Sequence, residues 1–98
     1  MKYKVVFLPE ARADADEIMH YLSQYYQSTV ISFFALLKKQ ISSLKSNHYI
    51  AQSYSEWPSY RRMLVADYLV FYKVDNASKM IEIHRILNGS RDIGRYIS

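Results

Sequence analysis

The second half of the sequence holds the side chains best suited to chemistry: Arg61, Arg62, His84, Arg85, Arg91, Arg95 and Tyr96. Arginine rather than lysine dominates there, and its planar fork suits phosphate and carboxylate groups. RNA cleavage without a metal needs a base or orienting group for the 2′-hydroxyl, cations for the phosphate and an acid for the leaving oxygen. Arg62, His84, Arg91 and Tyr96 are residue types able to fill these roles. A surface that only binds an anionic or acidic partner needs less. For that, Arg61, Arg62, Arg85, Arg91, Arg95 and Tyr96 are the candidate target-binding set.

Each candidate has a competing structural role. Arg61 and Arg62 are adjacent on an expected strand, so they point to opposite faces. On the last expected strand Ile81, Ile83 and Arg85 share one parity, and Glu82, His84 and Ile86 the other. The parity of Ile81 and Ile83 is expected to face the core, with Glu82 and His84 outward. Arg85 then lies where the core tapers or the strand bends. There it either meets a partner or forms an ion pair with a helix carboxylate such as Glu17. His84 is either part of a site or an exposed residue paired with a strand neighbour. Arg91, Arg95 and Tyr96 fall outside the regular sheet, in a segment that a core does not require.

Several chemistries find no support. The chain has no cysteine, so a disulfide framework, a thiolate zinc site and a Cys nucleophile are excluded. His20, His48 and His84 fall on an expected helix, loop and strand, with no ligand spacing between them, and no metal or cofactor is expected. Gly89 and Gly94 are the only glycines, which leaves no phosphate-cradling loop. No Ser–His–Asp set stands out. No apolar run is long enough to span a membrane, and the N-terminus reads as a strand rather than a signal peptide. The absence of cysteine fits a reducing cytoplasm.

The formal net charge is +4, which by itself serves solubility. Its distribution is uneven: Glu10, Asp14, Asp16 and Glu17 gather where a helix begins, and the arginines gather later. Ten tyrosines in 98 residues point to half-buried rings whose hydroxyls reach water or a partner.

The elements that must position these residues form one domain over residues 1–98. Residues 2–8 read as a strand ended by Pro9, which suits helix entry. A first helix is expected over about 10–26, with Ala11, Ala15, Ile18, Leu22 and Tyr25 along one face. Ser28 or Thr29 can cap a second helix over about 30–44, whose apolar face is Val30, Phe33, Phe34, Leu37, Ile41 and Leu44. Residues 46–59, with Tyr49, Tyr54 and Trp57, are irregular, and these aromatics either cover a core edge or touch a ligand. Three strands follow, over about 60–65, 68–74 and 79–87, joined by tight turns at Ala66-Asp67 and Asp75–Ser78. The middle one is apolar on both faces and should be central. Strand, two helices and three strands make an α+β domain, with a helical hairpin on one face of a largely antiparallel sheet and a short C-terminal tail.

In this order the chain resembles the RelE/ParE superfamily of bacterial toxins from type II toxin–antitoxin modules. The resemblance is carried by Tyr3-Lys-Val-Val-Phe-Leu-Pro-Glu-Ala11, Asp14-Ala-Asp-Glu-Ile18 and Tyr21-Leu22. It continues through Tyr60-Arg-Arg62, Tyr68-Leu-Val-Phe-Tyr-Lys-Val74 and Ile83-His-Arg-Ile-Leu-Asn-Gly-Ser-Arg-Asp92. It implies a cytoplasmic growth inhibitor held inactive by a cognate antitoxin. RelE-like members cleave mRNA on the ribosome without metal, and ParE-like members poison DNA gyrase. The nuclease branch carries arginine where Leu69 stands, and many relatives carry histidine where Asn88 stands; asparagine cannot act as an acid. Arg91 and Tyr96 could match the nucleases' C-terminal arginine and tyrosine. The resemblance therefore implies first a ParE-like gyrase inhibitor, second a ribosome-dependent mRNA endonuclease, and third an inactive module kept for complex formation. The antitoxin is expected to bind through an acidic segment that folds on the toxin surface.

Overall fold

A computed structural model describes residues 3–45 and 60–89. The elements are β1 (Lys4–Phe7), α1 (Pro9–Leu22), α2 (Gln27–Ser43), β2 (Arg61–Val65), β3 (Tyr68–Asp75) and β4 (Met80–Asn88). Residues 46–59, expected to be irregular and including His48, and the tail with Arg91, Arg95 and Tyr96 lie outside the described residues.

The strands form one sheet in the order β1-β4-β3-β2. β2–β3 and β3–β4 are antiparallel, and β1 joins β4 in parallel, Lys4 opposite Met80 and Phe7 opposite Ile83. β3 is internal, as its two-sided apolar sequence requires: Tyr68, Val70, Phe71 and Tyr72 are all buried. The hairpin turn at Ala66-Asp67 puts Val65 opposite Tyr68. Ala66 takes φ 53°, the left-handed region that tight hairpins demand of a loop residue. In the next turn Asp75 Oδ1 accepts hydrogen bonds from the amides of Ala77 and Ser78 at 3.1 and 3.2 Å, an Asx-type turn.

The helices cover one face. Phe33, Leu37, Ile41 and Leu44 of the second helical segment meet Val65, Tyr68, Val70, Tyr72, Ile81, Ile83 and Ile86 in the main core. The spacing of Phe33, Leu37 and Ile41 is that of one helix stripe, and their burial realises it. α1 ends at Leu22, earlier than its periodicity suggests. Tyr25 lies beyond it and is exposed, where a core position was expected. Its ring packs edge-on against Tyr21, with the Tyr25 hydroxyl donating to the Tyr21 oxygen at 3.2 Å. α2 begins at Gln27, with Tyr26 at the N-cap and no side-chain cap, so neither Ser28 nor Thr29 serves as one. The free amides of an exposed first turn can bond to water, so the start does not depend on a capping hydroxyl.

Candidate functional site

The sheet organises the candidate residues by face. Arg61 lies opposite Tyr72 and Arg62 opposite Phe71. Tyr72 belongs to the core beneath the helices, whereas Phe71 packs with Leu87, Tyr60 and Leu69 on the outer face. The two arginines therefore diverge: Arg61 is half-buried on the helix side, and Arg62 is exposed on the outer side.

On β4 the simple alternation fails at one point. Tyr72 pairs with Ile83 and Phe71 with Arg85, which leaves His84 unmatched in a bulge. The extra residue resets the pleat, so Ile81, Ile83 and Ile86 all enter the helix-side core although their spacing is uneven. Ile86 was expected to share the outward parity of His84; the bulge is why it does not.

The bulge also turns Arg85 toward α1. Its Nε and Nη2 donate to Asp14 Oδ2 and Oδ1 at 2.7 and 2.8 Å, and its Nη1 lies 3.5 Å from Glu10 Oε2. Of the two roles open to Arg85, the ion pair is realised, with Asp14 and Glu10 as partners rather than Glu17. Asp14 is 6 % exposed, yet it is well satisfied, because Oδ2 also accepts the Ile86 amide at 3.0 Å. The cause lies in strand length. β1 ends at Phe7, and its last contact to β4 is the Leu8 amide on the Ile83 carbonyl at 3.0 Å. Past that point no strand among the described residues flanks β4 on that side, and the Asp14 carboxylate takes up the ladder amide instead.

The outer face brings together residues from all three antiparallel strands and their flanks. His84 Nδ1 lies 3.5 Å from the Tyr60 hydroxyl, and its Nε2 lies 3.3 Å from Glu82 Oε1. The Tyr60 and His84 rings meet edge-on, 5.1 Å apart. Lys73 Nζ sits over the Tyr60 ring, 4.4 Å from its centre, and opposes Glu82 across the strands. Arg62 is on the same face, two strand spacings or about 10 Å from β4. The fold thus gathers Arg62 and His84 with three residues the sequence did not single out: Tyr60, Lys73 and Glu82. Strand parity carried a signal for Glu82 and His84. Tyr60 carried none, because its partner lies two strands away.

A separate pocket of about 260 Å³ opens on the helix side, lined by Asp14, Glu17, Ile18, Tyr21, Tyr68, Ile86 and Asn88. Asn88 and His84 are therefore on opposite sides of the sheet. Among the described residues, no group of three or more His, Cys, Asp or Glu is gathered as a metal site, and no helix is long and apolar enough to cross a membrane.

The sequence matches the family model for the ParE toxin of the type II toxin–antitoxin system parDE, over residues 5–93. The chain belongs to the ParE toxin family. This ParE-family chain also resembles solved structures. One, from the chromosomal ParDE toxin–antitoxin system of P. aeruginosa, is 22 % identical with a TM-score of 0.72, covering 88 % of this chain and 95 % of that one. A second, from the RelBE2 toxin–antitoxin complex of Mycobacterium tuberculosis, is 16 % identical with a TM-score of 0.65, covering 90 % and 99 %. At these identities the likeness is one of fold, and it is shared across both branches. No curated protein matches the sequence significantly.

Proposed function

We propose that this ParE-family toxin arrests growth by inhibiting DNA gyrase, and that a cognate antitoxin neutralises it in the cytoplasm. The observation that carries this reading is the ParE match over residues 5–93. Leu69 and Asn88, at positions where the nuclease branch and many relatives carry arginine and histidine, support it. Arg62 on the outer face, together with Arg91, Arg95 and Tyr96 of the tail, is the proposed target-binding set, with Arg61 on the helix side as a further cation. Arg85 is held by Asp14 and Glu10, so it is offered to a target only if that pairing opens. The antitoxin is proposed to be acidic where it meets the arginines.

A second reading, a ribosome-dependent mRNA endonuclease, draws on the outer face. There Arg62 and His84 lie with Tyr60 and Glu82, and His84 has a carboxylate on one ring nitrogen and a phenol on the other. The deciding experiment is induction of the chain without antitoxin, followed within minutes by mapping of new RNA 5′ ends and by a gyrase supercoiling assay. Intact mRNA with inhibited supercoiling supports the gyrase reading. Cuts within translated codons replace it with the nuclease. Neither effect, with normal growth, leaves a binding module without toxicity.

A further inference from the structure

We propose that His84 is a proton-controlled switch on the outer face: when its ring takes up a proton, the hydrogen bond to Tyr60 reverses and a new cation appears beside Lys73. The inference concerns the chain alone and does not depend on which target it meets.

The direction of each hydrogen bond follows from what each partner can do. An ionised carboxylate only accepts, so the ring nitrogen facing Glu82, Nε2 at 3.3 Å, must carry hydrogen. A neutral imidazole has one N–H, so Nδ1 is then the acceptor, and the Tyr60 hydroxyl at 3.5 Å donates to it. Both ring nitrogens are engaged in this state, and Tyr60 spends its only hydrogen on His84.

Protonation changes both ends. The imidazolium donates from both nitrogens. Nδ1–H now points at the Tyr60 oxygen, which must accept, and the phenolic hydrogen turns outward to water or a ligand. The Glu82 contact becomes an ion pair. His84, 21 % exposed, is within reach of solvent protons.

The charged surroundings set the consequence. Glu82 on β4 is the carboxylate in contact with the ring. Lys73 on β3 and Arg62 on β2 are cations of the same face, and Lys4 on β1 lies farther along it, opposite Met80. From the helix side, Asp14 and Glu10 are turned to Arg85. Protonation at His84 therefore offsets Glu82 and adds positive charge to the face that carries Lys73, with the Tyr60 O–H donor turned outward. The chemistry this favours is a carboxylate or another small anionic group, bound more tightly as pH falls.

Nitrogen-15 NMR of the His84 ring across the titration, with the Tyr60 Cζ signal followed in parallel, tests the switch. The expected result is the Nε2–H tautomer in the neutral form, with Tyr60 Cζ moving in step with imidazole protonation. A neutral Nδ1–H tautomer overturns the proposal, and so does a Tyr60 signal indifferent to His84. A second measurement reads the consequence with an oligoglutamate peptide as probe. Its affinity should rise by up to about fivefold as His84 protonates, the upper end for one added ion pair at a partly exposed surface. His84→Gln should abolish the rise. Affinity that is flat or falls with acidification in the wild-type chain overturns the proposed gain.

Discussion

Asp14 of the first helix and Arg85 of the last strand are joined by two parallel hydrogen bonds, at 2.7 and 2.8 Å, and the same carboxylate closes the Ile86 amide. One side chain thus satisfies a partly buried guanidinium and a ladder position that no strand among the described residues reaches. Removing it by Asp14→Ala leaves the Ile86 amide without this acceptor and strips the guanidinium of its two short hydrogen bonds, with Glu10 still 3.5 Å from Nη1. The expected loss is about 3–5 kcal/mol of unfolding free energy, read from urea denaturation. Arg85→Met should also destabilise, because it leaves the buried Asp14 carboxylate with the Ile86 amide but without its counter-charge. Stability unchanged in both variants would mean that the clasp contributes nothing.

Phe33 is buried under Tyr68 and Phe34, with ring centres 5.1 Å away from each. Phe33→Ala should cost about 3–5 kcal/mol by the same measurement. A loss well under that range would show that α2 is not anchored through this ring.

Ala66 holds φ 53° in the β2–β3 hairpin. A left-handed residue with a side chain carries a strain of about 1–2 kcal/mol, which glycine lacks. Ala66→Gly should be neutral to stabilising, since glycine's extra chain entropy offsets part of the relief. Ala66→Val should destabilise, because a branched side chain fits this region worst. Thermal melting of the pair checks the sign of each change.

Asp75 is held below the usual carboxylate range, chiefly by its hydrogen bonds with the side chain and amide of Ser78, with the Ala77 amide adding to them. A carboxyl whose folded value is depressed contributes stability above its unfolded value. That contribution fades as pH falls through the folded value. The stability gap between the wild-type chain and Asp75→Ala should accordingly be open at neutral pH and close in acid. Denaturation midpoints across the acidic range measure it, and a gap that widens on acidification would contradict the assignment.

Alanine at Arg91, Arg95 and Tyr96 should abolish growth arrest while leaving thermal melting unchanged, because these positions follow the last strand in a segment that a core does not require. Plating after induction, paired with a melting curve of each purified variant, separates the two effects. Variants that fold and still arrest growth would remove the tail from the proposed contact set.

The existence and type of every described element were legible in the sequence, because each carries its own period: three to four residues in Phe33, Leu37 and Ile41, and continuous apolarity in the internal strand β3. What was not legible was long-range. The bulge at His84 depends on the register between β3 and β4, and no local pattern announces it. Asp14 reads as one of several acids suited to a helix start; only the shortness of β1 makes it a partner for β4. Tyr60 and His84 meet across an intervening strand, a distance that pattern reasoning does not span. The pairing of β1 with β4 was equally silent, since a parallel neighbour leaves no turn signature between them.

That parallel pairing governs when this molecule can exist. Lys4 has no strand to lie against until Met80 to Ile83 are in place. During synthesis the first strand must wait, unpaired, while both helices and two further strands emerge. Contacts so distant along the chain also slow folding, because a large loop has to close before they form. The sheet therefore cannot be finished by a nascent fragment. A ribosome that stalls before the last strand yields a chain without its first edge, its Asp14–Arg85 clasp or its His84 bulge, and the sheet is completed only once that strand has been made.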